Sequence, residues 1–153
     1  MKTLQNALLI ASLVAMIACG KDKKEVTKSN REIMSAHKWL MTVYTSNPPM
    51  DQNGTLVSDF YAIKEACEKD NLYTFPTETT ITVLEGATKC QQTANDTVTT
   101  STCILSKDQK SLQMEDYSSP VQINYIDDKQ MKWEVIMNKN SVNYTINYVF
   151  ESQ

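Results

Sequence analysis

The last third of the chain restricts the fold most. From Val142 to Phe150, Val142, Tyr144, Ile146, Tyr148 and Phe150 fall on one side, and Asn143, Thr145 and Asn147 on the other. Side chains of a strand point alternately to opposite faces, so this pattern predicts a strand with one dry and one wet face. Two segments upstream follow the same rule. Pro120–Ile126 sets Val121, Ile123 and Tyr125 against Gln122 and Asn124, and Met131–Met137 sets Met131, Trp133, Val135 and Met137 against Lys132 and Glu134. The polar turns Asp127-Asp128-Lys129 and Asn138-Lys139-Asn140 separate the three. Alternating strands joined by tight polar turns predict antiparallel hairpins.

The rest of the chain fits the same class. Asn30–Lys38 predicts a short helix, capped by Asn30 with Glu32 in its first turn. Trp39–Thr45 predicts a strand, with Trp39, Met41 and Val43 opposite Leu40, Thr42 and Tyr44. Asn47-Pro48-Pro49 is expected to end it, because proline has no amide for the ladder. Residues 47–58, with Asn53-Gly54, then read as a long exposed loop, a lid or a spacer. Asp59–Lys69 carries Phe60, Ile63, Ala66 and Cys67 at helical spacing and predicts one or two helical turns. Leu72–Phe75, Thr79–Leu84, Thr99–Leu105 and Ser111–Met114 read as strands, with loop up to Asp96. The total is about eight short strands and few helices. An up-and-down barrel hides the edges of such a meander, and a sandwich is the competing arrangement.

The N-terminus has a different character. Lys2 is followed by an apolar run, Ala7–Ala18, broken only by Ser12. About twenty apolar residues are needed to span a bilayer, so this run has the layout of a secretory signal instead. Met16-Ile17-Ala18-Cys19 resembles the lipobox of bacterial lipoproteins, with Met16 where leucine is usual. The resemblance implies removal of residues 1–18, a thioether-linked diacylglycerol on Cys19 and an acylated amine. Gly20, in place of aspartate, implies the outer membrane. The alternative is an ordinary signal peptide cut near the same place, leaving Cys19 a plain thiol. Cleavage leaves about 135 residues, enough for one domain with a real core. The expected organisation is a signal peptide (1–18), a lipidated N-terminus with a charged tether (19–30) and one β domain (31–153).

Composition excludes several functions. A net charge of −3 and a single arginine, Arg31, leave no electrostatic footprint for nucleic acid. Beyond Cys19 the cysteines are Cys67, Cys90 and Cys103; an oxidising compartment permits one bridge, and spacing does not choose the pair. There is no Cys-x-x-Cys, and the one histidine, His37, makes no zinc pattern with them. His37 alone would have to carry any Ser-His-Asp chemistry. Asp127 and Asp128 lie in a turn that favours aspartate for local backbone bonding. Three glycines form no phosphate loop. No enzyme, cofactor or metal is expected. Trp39, Met41, Tyr73, Phe75, Met131, Trp133 and Tyr144 sit on apolar strand faces; they are the candidate pocket lining if the barrel is hollow, and core if it is filled.

Five segments taken in order, HKWLMTVY, ACEKDNLYTF, EGATKC, STCILSKDQKSLQM and the C-terminal hairpin, span residues 31–150. Together they resemble the lipocalin-like domains of small lipoproteins from the Bacteroides group. The resemblance implies a barrel, a Cys67–Cys90 bridge, and Cys103 as a buried free thiol where the family commonly has tryptophan; Cys90–Cys103 is the rival pairing. The chain departs from true lipocalins in having His37-Lys38-Trp39 for Gly-x-Trp and no arginine after Arg31. Asp96-Thr97-Val98 resembles the O-glycosylation signal of the same bacteria, making Thr97 a candidate acceptor. The expected function is a lipid-anchored, non-enzymatic envelope barrel that binds a small apolar ligand. The alternative is a structural or protein-interaction module with a filled core, acting through loops such as 47–58.

Overall fold

The computed structural model describes residues 27–90 and 96–153. The expected signal peptide (1–18), Cys19 and most of the expected tether (19–30) lie outside the described residues. Among the described residues nine strands follow in order: β1 (Trp39–Gln52), β2 (Thr55–Asp59), β3 (Leu72–Thr77), β4 (Thr80–Leu84), β5 (Thr97–Leu105), β6 (Ser111–Met114), β7 (Val121–Ile126), β8 (Gln130–Lys139) and β9 (Val142–Ser152). Two short helices accompany them, α1 (Asn30–Ala36) and α2 (Ala66–Lys69).

Strands β3 to β9 pair with their chain neighbours, all antiparallel, and β1 closes the circle. On one side β1 pairs with β9 from Trp39↔Ser152 to Asn47↔Thr145. On the other it meets β3 only at Trp39↔Tyr73 and Leu40↔Leu72. Eight strands therefore form a closed barrel, and β2 is an extra strand folded back on the far half of β1.

The proline pair does not stop β1. Pairing with β9 ends at Asn47 and pairing with β2 resumes at Met50, so Pro48 and Pro49 stand where neither neighbour needs an amide. Residues 47–58 are accordingly a protruding β1–β2 hairpin, turned by Asn53 (φ 54°) and Gly54 (φ 85°), and not the expected loop. The helix expected over 59–69 is confined to the single turn of α2. Ser29, and not Asn30, caps α1: its hydroxyl accepts from the Glu32 amide while the Glu32 carboxylate accepts from the Ser29 amide at 2.7 Å.

Two bulges redirect side chains. A register shift between Met41 and Val43 turns Tyr44 inward, against the strict alternation. Another between Ile123 and Tyr125 leaves Tyr125 exposed and packs Ile126 against the core instead.

Helix α1 closes one end of the barrel. Met34 and Trp39 are fully buried, and the Trp39 indole donates to the Met34 carbonyl at 3.0 Å. Burying each side chain contributes about 2–3 kcal/mol. The Asn30 side-chain amide donates to the Gln109 carbonyl at 2.7 Å, and the Arg31 amide to the Gln109 side chain at 3.2 Å, fastening α1 to the β5–β6 turn. His37 approaches Asp128 at 3.2 Å and meets Trp39 edge-on, tying the helix end to the β7–β8 turn.

Candidate functional site

Inside the barrel, away from α1, lies a cavity of about 260 Å³. Its walls are apolar and aromatic: Met41 and Tyr44 from β1, Tyr73 from β3, Ile81 and Val83 from β4, Val121 from β7, Trp133 from β8, and Tyr148 and Phe150 from β9. Its rim is polar, with Lys64, Thr99, Ser101 and Asp116. Thr99 and Asp116 are exposed, so the cavity opens at this end.

Strand alternation and the β1 bulge together build a continuous run of rings. Phe60 stacks on Tyr44 at 4.9 Å, Tyr44 on Tyr148 at 4.8 Å, and Tyr148 on Phe150 at 6.3 Å. Phe150 then meets Trp133 at 4.7 Å, and Trp133 meets Phe75 edge-on at 5.9 Å. The distances suit offset or edge-to-face contact, which adds about 0.5–1.5 kcal/mol per pair beyond burial.

The polar atoms within this wall are few. The Tyr117 and Tyr148 hydroxyls are 2.6 Å apart, and the Tyr44 ring stacks on Tyr148 beside them. Burial pushes the Tyr73 hydroxyl up to about 12, with smaller repulsion from Tyr117, Glu68 and Tyr44. Burial, with Tyr117 and Tyr44 alongside, also holds the Tyr148 hydroxyl well above the usual phenol range. Negative charge is therefore disfavoured inside. The Trp133 indole Nε1 is buried without a hydrogen-bond partner, an uncommon state for a polar atom in a core.

The rim is held from outside by a disulfide. Cys67 of α2 is bonded to Cys90, with Cα atoms 5.1 Å apart. The loop beside it is further fixed by the Thr88 amide on Asp70 at 2.7 Å and by Lys89 on Asp96 at 2.6 Å. Gly86 is required there, because a Cβ would run into the carbonyl oxygen and carboxylate of Asp70. Lys64 reaches the rim from the segment before α2 and pairs with Glu68 at 3.5 Å. Cys103 is a buried free thiol on β5, raised in pKa by burial and opposed by the nearby charge of Arg31.

Of the seven candidate pocket residues, Met41, Tyr73 and Trp133 line the cavity. Trp39, Phe75 and Met131 are buried in the core outside its lining, and Tyr144 packs half-buried against that core. The alternation of β9 had placed Tyr148 and Phe150 on the inner face without singling them out. Tyr44 was hidden by the bulge. Lys64, Asp116 and Tyr117 lie outside the strands, where no periodic signal marks them. Thr97 opens β5 and is exposed, paired across the ladder with Leu84. Asp127 bonds the amides of Lys129 and Gln130, the local turn bonding its position suggests.

Among the described residues, Glu65, Cys67 and Cys90 have ligand atoms within 4.8 Å of one another. The two sulfurs are already bonded together, so the group offers no thiolate to a metal.

Fold and cavity define a closed antiparallel β-barrel, plugged at one end by a helix and hollow toward the other. No protein-family model matches the chain, and comparison with curated proteins finds no match either.

Proposed function

We propose that this protein is a lipid-anchored, non-enzymatic barrel of the outer membrane that binds a small apolar molecule. The cavity carries the reading: about 260 Å³ of largely apolar space, open at one polar rim, is what a barrel of this size offers a single small ligand. The lipobox-like sequence before Cys19 supports the anchor, and the charged residues after it serve as tether. Exposed Thr97, following Asp96, is the proposed acceptor for an O-glycan.

The binding half is tested with N-phenyl-1-naphthylamine, whose fluorescence rises in apolar surroundings. A saturable rise with the wild-type protein, lost in Ser101→Trp, supports the cavity as the site. No rise with the folded wild-type protein overturns it. The anchor is tested by labelling cells with a palmitate analogue. Label on the wild type and none on Cys19→Ala is expected, and an unlabelled wild type removes the anchor.

One observation favours a second reading. Leu56 on the β1–β2 hairpin is 72% exposed and Ile63, on the segment that follows β2, is 62% exposed. Side chains of this size in contact with water suit an interaction module. Crosslinking to a defined envelope protein, abolished by Leu56→Asp while probe binding persists, would favour that reading.

A further inference from the structure

We infer that the cavity's ligand is a compact apolar molecule ending in an ammonium group, with its body inside the barrel and its charge at the rim beside Asp116. This rests on the binding reading above and narrows it to a chemical class.

The interior sets the body. A cavity of about 150 Å³ holds one benzene ring. The 260 Å³ here takes a larger body but falls below the range typical of drug-sized ligands, about 300–1,000 Å³. Met41, Ile81, Val83, Val121 and Phe150 offer that body apolar contact.

The rim sets the charge. Lys64 and Asp116 are the two charged residues of the lining. Lys64 is paired with Glu68 at 3.5 Å. Asp116 is exposed and, among the described residues, forms no ion pair; the Ser101 hydroxyl donates to it at 3.4 Å. The rim therefore has one negative charge left over. Its influence reaches inward: burial raises the Tyr117 hydroxyl above the usual phenol range, and Asp116 adds to that rise.

The surrounding surface has the same sign. Among the described residues, the connections at this end (60–71, 85–90, 96 and 115–120) hold seven carboxylates and three lysines. Two of those lysines, Lys64 and Lys89, are paired with carboxylates. At the end closed by α1, residues 27–38, 78–79, 106–110 and 127–129 hold six lysines and arginines against five carboxylates. A mouth of one sign draws the opposite charge to it. An ammonium held there keeps water on its outer side, so it avoids the cost of burying a charge inside the barrel.

The test is calorimetric titration of the purified protein at pH 7 with 1-naphthylmethylamine, 1-naphthylmethanol and 1-naphthoate, which share one ring system and differ in charge. At low salt the amine is expected to bind about threefold more tightly than the alcohol, the gain from one ion pair at the rim, and the carboxylate more weakly than either. In 1 M salt the ratio of amine to alcohol affinity should fall toward one, because surface charges are then screened beyond about 3 Å. In Asp116→Asn the ratio should fall likewise, while the alcohol binds as before. Equal binding of amine and alcohol by the wild type at low salt overturns this inference and leaves the binding reading standing. Tighter binding of the carboxylate than of the alcohol overturns the cationic class. A preference for the amine that persists undiminished in Asp116→Asn or in high salt overturns the rim carboxylate as its source. Binding of none of the three removes the cavity reading itself, and this inference with it.

Discussion

The hydroxyl of Tyr117, on the loop after β6, lies 2.6 Å from the hydroxyl of Tyr148 on β9. The two residues are 31 positions apart, and their bond crosses the cavity wall where β1, β6 and β9 face one another. Tyr148→Phe keeps the stacked rings and removes the shared oxygen. The expected cost is about 1 kcal/mol, the net worth of a typical buried hydrogen bond. Urea unfolding should show a lower midpoint with an unchanged slope; an unchanged midpoint would mean that the pair contributes nothing.

The Cys67–Cys90 bridge closes a loop with a sequence separation of 23. Restricting the unfolded chain by that much is worth about 3 kcal/mol. The double variant Cys67→Ser/Cys90→Ser should lose about that amount in chemical denaturation. In the native wild type, Cys103 should resist a thiol reagent until the protein unfolds, because its sulfur is buried and its thiolate disfavoured.

Gly86→Ala should be among the most damaging small substitutions in the chain. The added methyl meets the backbone of Asp70, which cannot swing aside as a side-chain tip could. A loss of about 2 kcal/mol or more is expected, read as a drop in Tm, with the Cys67–Cys90 region the first to lose amide protection.

The β8–β9 turn offers the opposite change. Asn140 and Ser141 have φ of 54° and 65°, in the left-handed region that serine occupies only with strain. The matching β1–β2 turn uses Asn53-Gly54. Ser141→Gly should therefore raise stability by about 0.5–1 kcal/mol, measured by thermal unfolding.

Stability should decline in alkali. Tyr73 and Tyr148 have folded-state pKa values above that of an unfolded tyrosine, so the unfolded chain loses these protons first. Their contribution is complete below pH 10 and is lost as pH rises through the folded values. The rise of Tyr73 from 10.0 to about 12 corresponds to about 3 kcal/mol. Phenolate absorbance of the buried tyrosines should appear together with loss of circular dichroism. A Tyr73→Phe variant should show a shallower decline between pH 10 and 12; an unchanged decline would count against its burial.

Much of the architecture was legible in residue order. The alternation of β8 and β9 announced two half-wet strands, and the inner face of β9 supplied Ile146, Tyr148 and Phe150 to the interior as its pattern implied. The cavity was less so, since its lining joins all eight barrel strands with loop residues far apart in sequence. No local pattern marks Tyr117 or Lys64. Tyr44 was misassigned because one bulge reverses every later side chain of a strand, and a bulge has no signature in a period of two.

Sequence alone determined that the chain makes short antiparallel strands with an apolar face, since that follows from the spacing of neighbouring residues. Tertiary structure decided how the sheet closes, with β1 bonded to β9 along one edge and to β3 for only two residues along the other. It also decided that Pro48 and Pro49 lie within β1, since a missing amide costs nothing where no partner strand is present to accept it. The hollow follows from that closure, because the volume left inside a barrel depends on how side chains from all its walls meet.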